Sequence, residues 1–318
     1  MKRHAAQPAV RPLDAPRFSA LGCACAASAA AADRPDARPG VHRRLFTSAL
    51  LAGVAAPFAA GRAHAADAEC KRSPMAGLVP AATVEGAARQ QYLQLVRDAQ
   101  SKGVLAPPDD PQLQRLRYIA ARIVPLTPAC NEQARAWQWE VQLLRSNQLN
   151  AFCMPGGKIA FYSGILARLK LSDDEVAVIM GHEVAHALLE HARERMAKST
   201  GTNVGLRVLA AVFGLGSVGD MAAQYGSQLL SLRFSRDDES EADVLGLLLS
   251  SRAGYDPRAG VTLWQKMGAA TAGKAPPQWL STHPAGPERI KEIEARLPRV
   301  LPEFQRAAAP DRRFAAAG

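Results

Sequence analysis

The 318-residue chain has few aromatic residues, 6% Phe, Trp and Tyr, and only five cysteines. So few aromatics beside so much alanine disfavour a β-sandwich and favour helices. No segment repeats with a period of 20–50 residues, which excludes a solenoid or propeller. No apolar run is long and clean enough for an unambiguous membrane span. The net charge of +10 is unevenly placed. Residues 1–65 hold nine Lys/Arg against three Asp/Glu, a net of +6, which leaves +4 for the remainder. Beyond residue 65 there is no block of five or six like charges, so a nucleic-acid-binding face is not expected. Histidine is also scarce there: only His182, His186, His191 and His283 occur, and three of them lie within ten residues.

What the first 65 residues contain is a leader pattern. Arg43 and Arg44 precede an apolar stretch from Leu45, and a small-x-small site follows at Ala63-His64-Ala65. This predicts a secretory signal peptide cut before Ala66, hence a periplasmic or secreted protein. An uncleaved N-terminal anchor is the alternative. The Ala-, Pro- and Arg-rich residues 1–40 are no part of such a signal, which points to a translation start near Val41. Export permits a disulfide. Of Cys70, Cys130 and Cys153, the first two are the expected pair, because Cys153 sits in a different kind of segment; three free or buried thiols are the alternative.

Along the rest of the chain, 66–84 reads as an extended linker. Helices are expected over 86–102 and 111–124 from their apolar spacing. Alternation around Trp137, Trp139 and Val141 predicts a strand reaching Leu144. A turn-rich stretch, 150–157, leads to a second strand over 158–163. Ser172 and Glu175 form an S-x-x-E capping box opening a helix expected over 173–198. The apolar, glycine-bearing 204–218 reads as a buried hairpin or lid, or as a segment dipping into a membrane surface. Further helices are expected over 221–251, 258–267 and 288–297, with Ser281–Pro284 in a loop and the last ten or so residues loose. The domain plan is thus an N-terminal extension and signal peptide (1–65), a linker and N-terminal helix (66–109), a catalytic domain (110–300) and a C-terminal tail (301–318).

The chemistry centres on His182-Glu183-Val184-Ala185-His186. Helical residues four apart share a face, so His182 and His186 can offer two nitrogens to one metal ion, with Glu183 beside them as a base. Two satisfied helix histidines and a solvated Glu would be the bland alternative, but Val176, Val178, Ile179 and Val184 bury the element. On a continuous helix His191 lies about 180° round from His182, which makes it a surface or supporting residue. Leu189 and Ala192 stand where a metzincin needs Gly and His, so that class is excluded. A catalytic zinc site needs a third protein ligand. In Glu239-Ser240-Glu241-Ala242-Asp243, Glu239 and Asp243 share a face and could serve as ligand and as partner to a ligand imidazole. An acidic helix entry explains the same residues, and spacing alone does not choose.

Together, Gly181-His182-Glu183-Val184-Ala185-His186, Glu239-x-x-Ala242-Asp243, Thr282-His283-Pro284 with Arg289, and the upstream Asn150–Gly157 segment resemble the gluzincin metalloendopeptidases of the HtpX, BepA and LoiP kind. These are peptidase family forty-eight of the metallo class, related to the CAAX prenyl proteases. The resemblance covers residues 110–300. It implies an α+β, mainly helical, zincin-like fold with a small β-sheet beside the active-site helix. It implies one Zn2+ per chain, held by His182, His186 and Glu239, with Asp243 behind them. It places His283 near the metal, as a reversible fourth ligand or a donor to the tetrahedral intermediate, with Arg289 close by. Cys153 departs from the small or aliphatic residue expected there. The implied function is metal-assisted hydrolysis of protein or peptide substrates in the bacterial cell envelope, as quality control of misfolded proteins. The substrate is expected to add as a strand along the 158–163 edge. A zinc-stabilised chaperone or binding module on the same fold is the competing function. Peripheral membrane contact through 204–218 is a third.

Overall fold

Proline and aspartate open the first helices. Pro80 precedes α1 (Ala81–Ser101), which buries Val84, Ala87, Ala88, Tyr92, Val96 and Ala99, the i, i+3, i+4 stripe of an amphipathic helix. Extended chain was expected to residue 84; much of the stripe is alanine, too small to stand out as a core face. The Asp110 side chain accepts from the backbone N–H groups of Gln112 and Leu113 and caps α2 (Pro111–Ile123), whose Pro111 sits where a helix least needs an N–H. The computed structural model describes residues 69–200, 229, 233–271, 278–283 and 287–317. These fall in one of the chain's two compact units; the other, Asp14–Arg62, lies outside them, as do the expected cleavage site before Ala66 and segment 204–218.

The sheet has three strands: β1 (Glu140–Leu144), β2 (Ala151–Met154) and β3 (Lys158–Tyr162), in the order β1-β3-β2. β1 runs parallel to β3, with Val141 opposite Ile159, and β2 runs antiparallel to it, with Cys153 opposite Ile159. Two expectations change. The first half of the turn-rich 150–157 stretch is a strand. And β3 is central, so 158–163 offers no free edge. On the outer side of β1, Ala106 N–H donates to Leu143 O (2.9 Å) and Arg145 N–H to Val104 O (2.7 Å). Among the described residues the open edge is therefore that of β2. The β2–β3 turn needs Gly157, at φ +77, because a Cβ there would stand 2.7 Å from the Trp139 ring.

After α3 (Ser163–Arg168) comes α4 (Asp173–Leu188), opened by the expected capping box: Ser172 Oγ accepts from Glu175 N–H, and the Glu175 carboxylate accepts from Ser172 N–H (2.8 Å). Every residue of α4 except Asp174 is buried, so this helix has no solvent face. It does not continue to 198. Glu190 adopts φ +60, and α5 (His191–Thr200) starts in a new direction.

The helix expected over 221–251 is interrupted at 233–235, where Ser235 is extended and forms a second capping box with Asp238 to open α6 (Arg236–Arg252); 221–228 and 230–232 lie outside the described residues. α4 packs more extensively on α6 than on any other element. The two meet backbone to backbone: a Cβ on Gly181 would lie 2.5 Å from Gly246 O, and one on Gly246 2.6 Å from His182 N. α7 (Ala259–Thr271), α8 (Gln278–Thr282) and α9 (Pro287–Arg306) follow, α9 running through Pro298 and Pro302 past its expected end. The tail expected to be loose is docked. Phe314 N–H donates to Asp173 Oδ2 (2.8 Å), Arg313 pairs with Asp174 (2.9 Å), and Tyr118 OH bonds Asp311. Cys70 and Cys130 form the disulfide, and Cys153 is free and buried.

Candidate metal centre

The glycine contact between α4 and α6 sets the site. It lets the two helices approach closely enough for the first turns of α6 to face His182 and His186. The Nε2 atoms of those histidines stand 3.0 Å apart, and Glu239 Oε1 is 3.5 Å from His186 Nε2. From the end of α8, His283 Nδ1 comes within 3.2 Å of His182 Nε2 and 2.8 Å of Glu239 Oε1. One ligand atom from each of His182, His186, Glu239 and His283 lies within 4.8 Å of the other three, and all four residues are buried.

These residues fit a divalent cation. Two nitrogens on one tetrahedral zinc, at about 2.0–2.1 Å each, stand roughly 3.3 Å apart, close to the separations seen. Charge gives an independent reason. Glu239 and Asp243, with side chains 6% and 12% exposed, pair with one buried guanidinium, that of Arg289, while Glu183, 3% exposed, faces His283. Three buried carboxylates beside a single guanidinium leave the site short of positive charge, which a divalent ion would supply. Burial holds the His186 imidazole well below its ordinary pKa, against the hydrogen bond to Glu239, so it is neutral as a ligand must be. Burial alone would raise the Glu239 carboxyl. The charge on His283 and hydrogen bonds from His186 and His283 outweigh it and hold Glu239 below the usual carboxylate range. His283 is raised despite its burial, by the Glu183 and Glu239 carboxylates.

Behind the cluster, Asp243 Oδ1 meets His182 Nδ1 at 3.0 Å, which directs Nε2 toward the centre. Arg289 donates to Asp243 Oδ2 (2.6 Å), Asp243 Oδ1 (2.8 Å) and Glu239 Oε2 (2.6 Å), and its guanidinium lies 3.8 Å from the Trp264 ring centroid. Burial would lift the Asp243 carboxyl, but Arg289 and His182 together keep it depressed. Arg289, expected close by the metal, stands beside the cluster, where it braces the two carboxylates and is not among the residues lining the cleft.

The cleft is walled by β2 and by Glu183, His186, Phe234 and His283. Glu183 Oε1 accepts from Trp279 Nε1 at 2.6 Å. Sequence reasoning missed Trp279; the available signal was its position four residues before His283 on α8, whose own N–H donates to Trp279 O (2.8 Å). It also missed Phe234, stacked on His186 with ring centroids 4.0 Å apart. Cys153 lines the cleft as a buried thiol that burial and the nearby Glu183 hold well above its ordinary pKa, hence an inert one. His191 is not on the surface: it is 1% exposed and touches His186, because the helix breaks before it.

The sequence model described as Peptidase family M48 matches residues 113–297, more than half of the chain. The chain belongs to that family. It is 42% identical over 183 residues to the mitochondrial metalloendopeptidase OMA1 of Arabidopsis thaliana, covering 58% of this chain and 36% of that protein. The OMA1 of Schizosaccharomyces pombe is 39% identical, over 51% of this chain and 47% of that protein. The metalloprotease LoiP of Escherichia coli is 30% identical, over 64% of this chain and 78% of that protein. The chain thus spans less than half the length of either OMA1 relative.

The two OMA1 relatives are mitochondrial by name, and this overturns the expected periplasmic or secreted destination. The physical reason for the error is compositional. Mitochondrial leaders are also Arg-rich and poor in acids, as residues 1–65 are, so an Arg pair before a short apolar stretch does not separate the two destinations.

Proposed function

We propose that this family member is a zinc-dependent metalloendopeptidase in which His182, His186 and Glu239 hold the ion and Glu183 is the general base. The observation carrying this reading is the convergence of the two imidazole Nε2 atoms and the Glu239 carboxylate beside a buried glutamate that is not itself in the cluster. Residues 110–300 form the peptidase domain in this reading.

A bound zinc ion supplies Lewis acidity toward a peptide carbonyl and makes water acidic near neutral pH. The chain's own residues do the rest. The Glu183 carboxylate takes a proton from the attacking water and returns it to the leaving amine. Trp279 Nε1–H holds Glu183 Oε1 and so fixes the carboxylate plane, leaving Oε2 for proton transfer. Asp243 holds His182 by its Nδ1, and Arg289 keeps Asp243 and Glu239 ionised and in place. His283 has two roles. Within the cluster it fills a fourth ligand position and closes the site; withdrawn from it, it donates to the developing oxyanion.

The substrate lies extended along the free edge of β2, not along β3. Backbone hydrogen bonds to that edge give affinity without demanding a sequence, which suits cleavage of unfolded segments in protein quality control. A binding module with purely structural zinc would have no use for Glu183 held by Trp279 beside the ligands.

The test is zinc content and casein cleavage by the purified chain, against His186→Ala. One zinc per chain with chelator-sensitive cleavage, both lost in the variant, is expected. Zinc without cleavage, persisting when His283→Ala opens the site, would overturn the peptidase reading. Absence of zinc from the unmutated chain would overturn the metal site.

A further inference from the structure

The two ligand histidines are supported differently. His182 is held directly by Asp243. Among the described residues, the partner at His186 Nδ1 is not a carboxylate but another histidine. His191 Nδ1 stands 2.8 Å from His186 Nδ1, and His191 Nε2 stands 3.3 Å from Glu241 Oε2. We infer that His191 and Glu241 form a relay that fixes the tautomer and orientation of His186 for metal binding.

Proton bookkeeping leaves one consistent assignment. Under the metal-site reading proposed above, on which this inference rests, His186 Nε2 must be bare to ligate. Its proton then sits on Nδ1 and is donated to His191 Nδ1. That nitrogen must accept, so the His191 proton is on Nε2, facing Glu241. A carboxylate accepts there. Each nitrogen in the chain then has one role, and the chain ends at a side chain 56% exposed to solvent.

The backbone is shaped for this contact. On an unbroken helix, a residue five positions after His186 points about 140° away from it. His191 returns only because Glu190 takes the left-handed φ of +60, rare for a residue other than glycine. The Glu190 carboxylate is pinned by Arg193 at 2.6 Å and Arg72 at 3.5 Å. The bend therefore has its own supports, and its product is a histidine, 1% exposed, stacked edge-on at 4.9 Å from the His186 ring.

His191 is thus a positioning residue, and its test reads metal affinity rather than turnover. Zinc affinity of the full chain is measured by competition with a chromogenic chelator, and the Co2+-substituted protein gives the ligand-field spectrum. His191→Leu removes the acceptor and should weaken zinc binding about 10–100-fold, the usual effect of losing such a partner, and shift the cobalt bands. His191→Asn, whose side-chain oxygen can replace Nδ1 as acceptor, should recover most of that affinity. Glu241→Ala, at an exposed position, removes the acceptor for His191 Nε2–H and should weaken zinc less than His191→Leu does.

Zinc affinity unchanged in His191→Leu, while His186→Ala loses the ion, would overturn the relay and leave the metal site standing. Equal weakening in His191→Leu and His191→Asn would reduce His191 to packing and also overturn it. Retention of zinc by His186→Ala would sink the metal site, and the relay with it. Should His191→Leu fail to fold, Glu241→Ala decides: weaker zinc binding supports the relay, and unchanged affinity overturns it.

Discussion

At its N-terminus α4 presents three carboxylates, and each meets a cation from a distant segment: Asp173 meets Arg115, Asp174 meets Arg313 and Glu175 meets Lys266. In its C-terminal half the same helix presents Glu183 beside two histidines, and there Glu239 and Asp243 share the single guanidinium of Arg289 while Glu183 has only His283 near it among the described ion pairs. The first end is neutralised by the fold itself, and its acids also suit the positive end of the helix dipole. The second end is left short of positive charge. Charge matched within the chain anchors the helix, and charge left unmatched waits for an ion. One element thus carries a stability site and a metal site barely two turns apart.

Substitutions at the two ends should therefore fail in opposite ways. Glu183→Gln should cut casein cleavage by about 10²–10⁴, the usual weight of a general base. It should also leave the metal-free protein as stable as before or more so in urea, because it removes an uncompensated charge. A lower urea midpoint would break the contrast. Arg115→Met should do the reverse. Stranding the Asp173 carboxylate, 4% exposed, should cost about 3–5 kcal/mol in urea unfolding while folded enzyme keeps its zinc affinity. Between the ends, Gly246→Ala tests the helix crossing: the added methyl should cost about 1–3 kcal/mol by overpacking and weaken zinc as well, since Glu239 shifts with α6. Loss of stability with unchanged zinc affinity would show that the crossing does not set the site. The smallest effect is expected from Ser172→Ala, about 1 kcal/mol from the lost cap, with no change in metal content.

The chemistry was legible where its signals are local. A capping box, a buried helical stripe and two histidines four apart are all written within seventeen residues, and the structure places them as read. Fold class and family followed from that stretch together with Glu239–Asp243, Thr282-His283-Pro284 with Arg289, and Asn150–Gly157. What was not legible depends on partners far along the chain. β2 is four residues long and becomes a strand only by pairing with β3, so Asn150–Gly157 reads as a turn until β3 is beside it. The break at Glu190 has no glycine or asparagine to announce it, because ion pairs to Arg72 and Arg193 hold the left-handed backbone. With the break unseen, His191 was rotated to the wrong side of a helix that does not exist. Arg289 was read as near the metal and is, but its donors point at carboxylates, a distinction that spacing does not carry.

The docking of residues 307–317 also has a consequence in time. Phe314, whose N–H meets Asp173 at the root of α4, lies 141 residues further along the chain, and Arg313, which pairs with Asp174, lies 139 residues beyond its partner. During synthesis the histidine-bearing helix emerges long before these restraints do. A nascent chain therefore displays the would-be hydrolytic helix without its final clamp, and gains that clamp only after α6, α8 and α9 have supplied Glu239, His283 and Arg289. The order of translation is in this way also an order of assembly, with the clamp on the histidine-bearing helix added after the residues that gather around it.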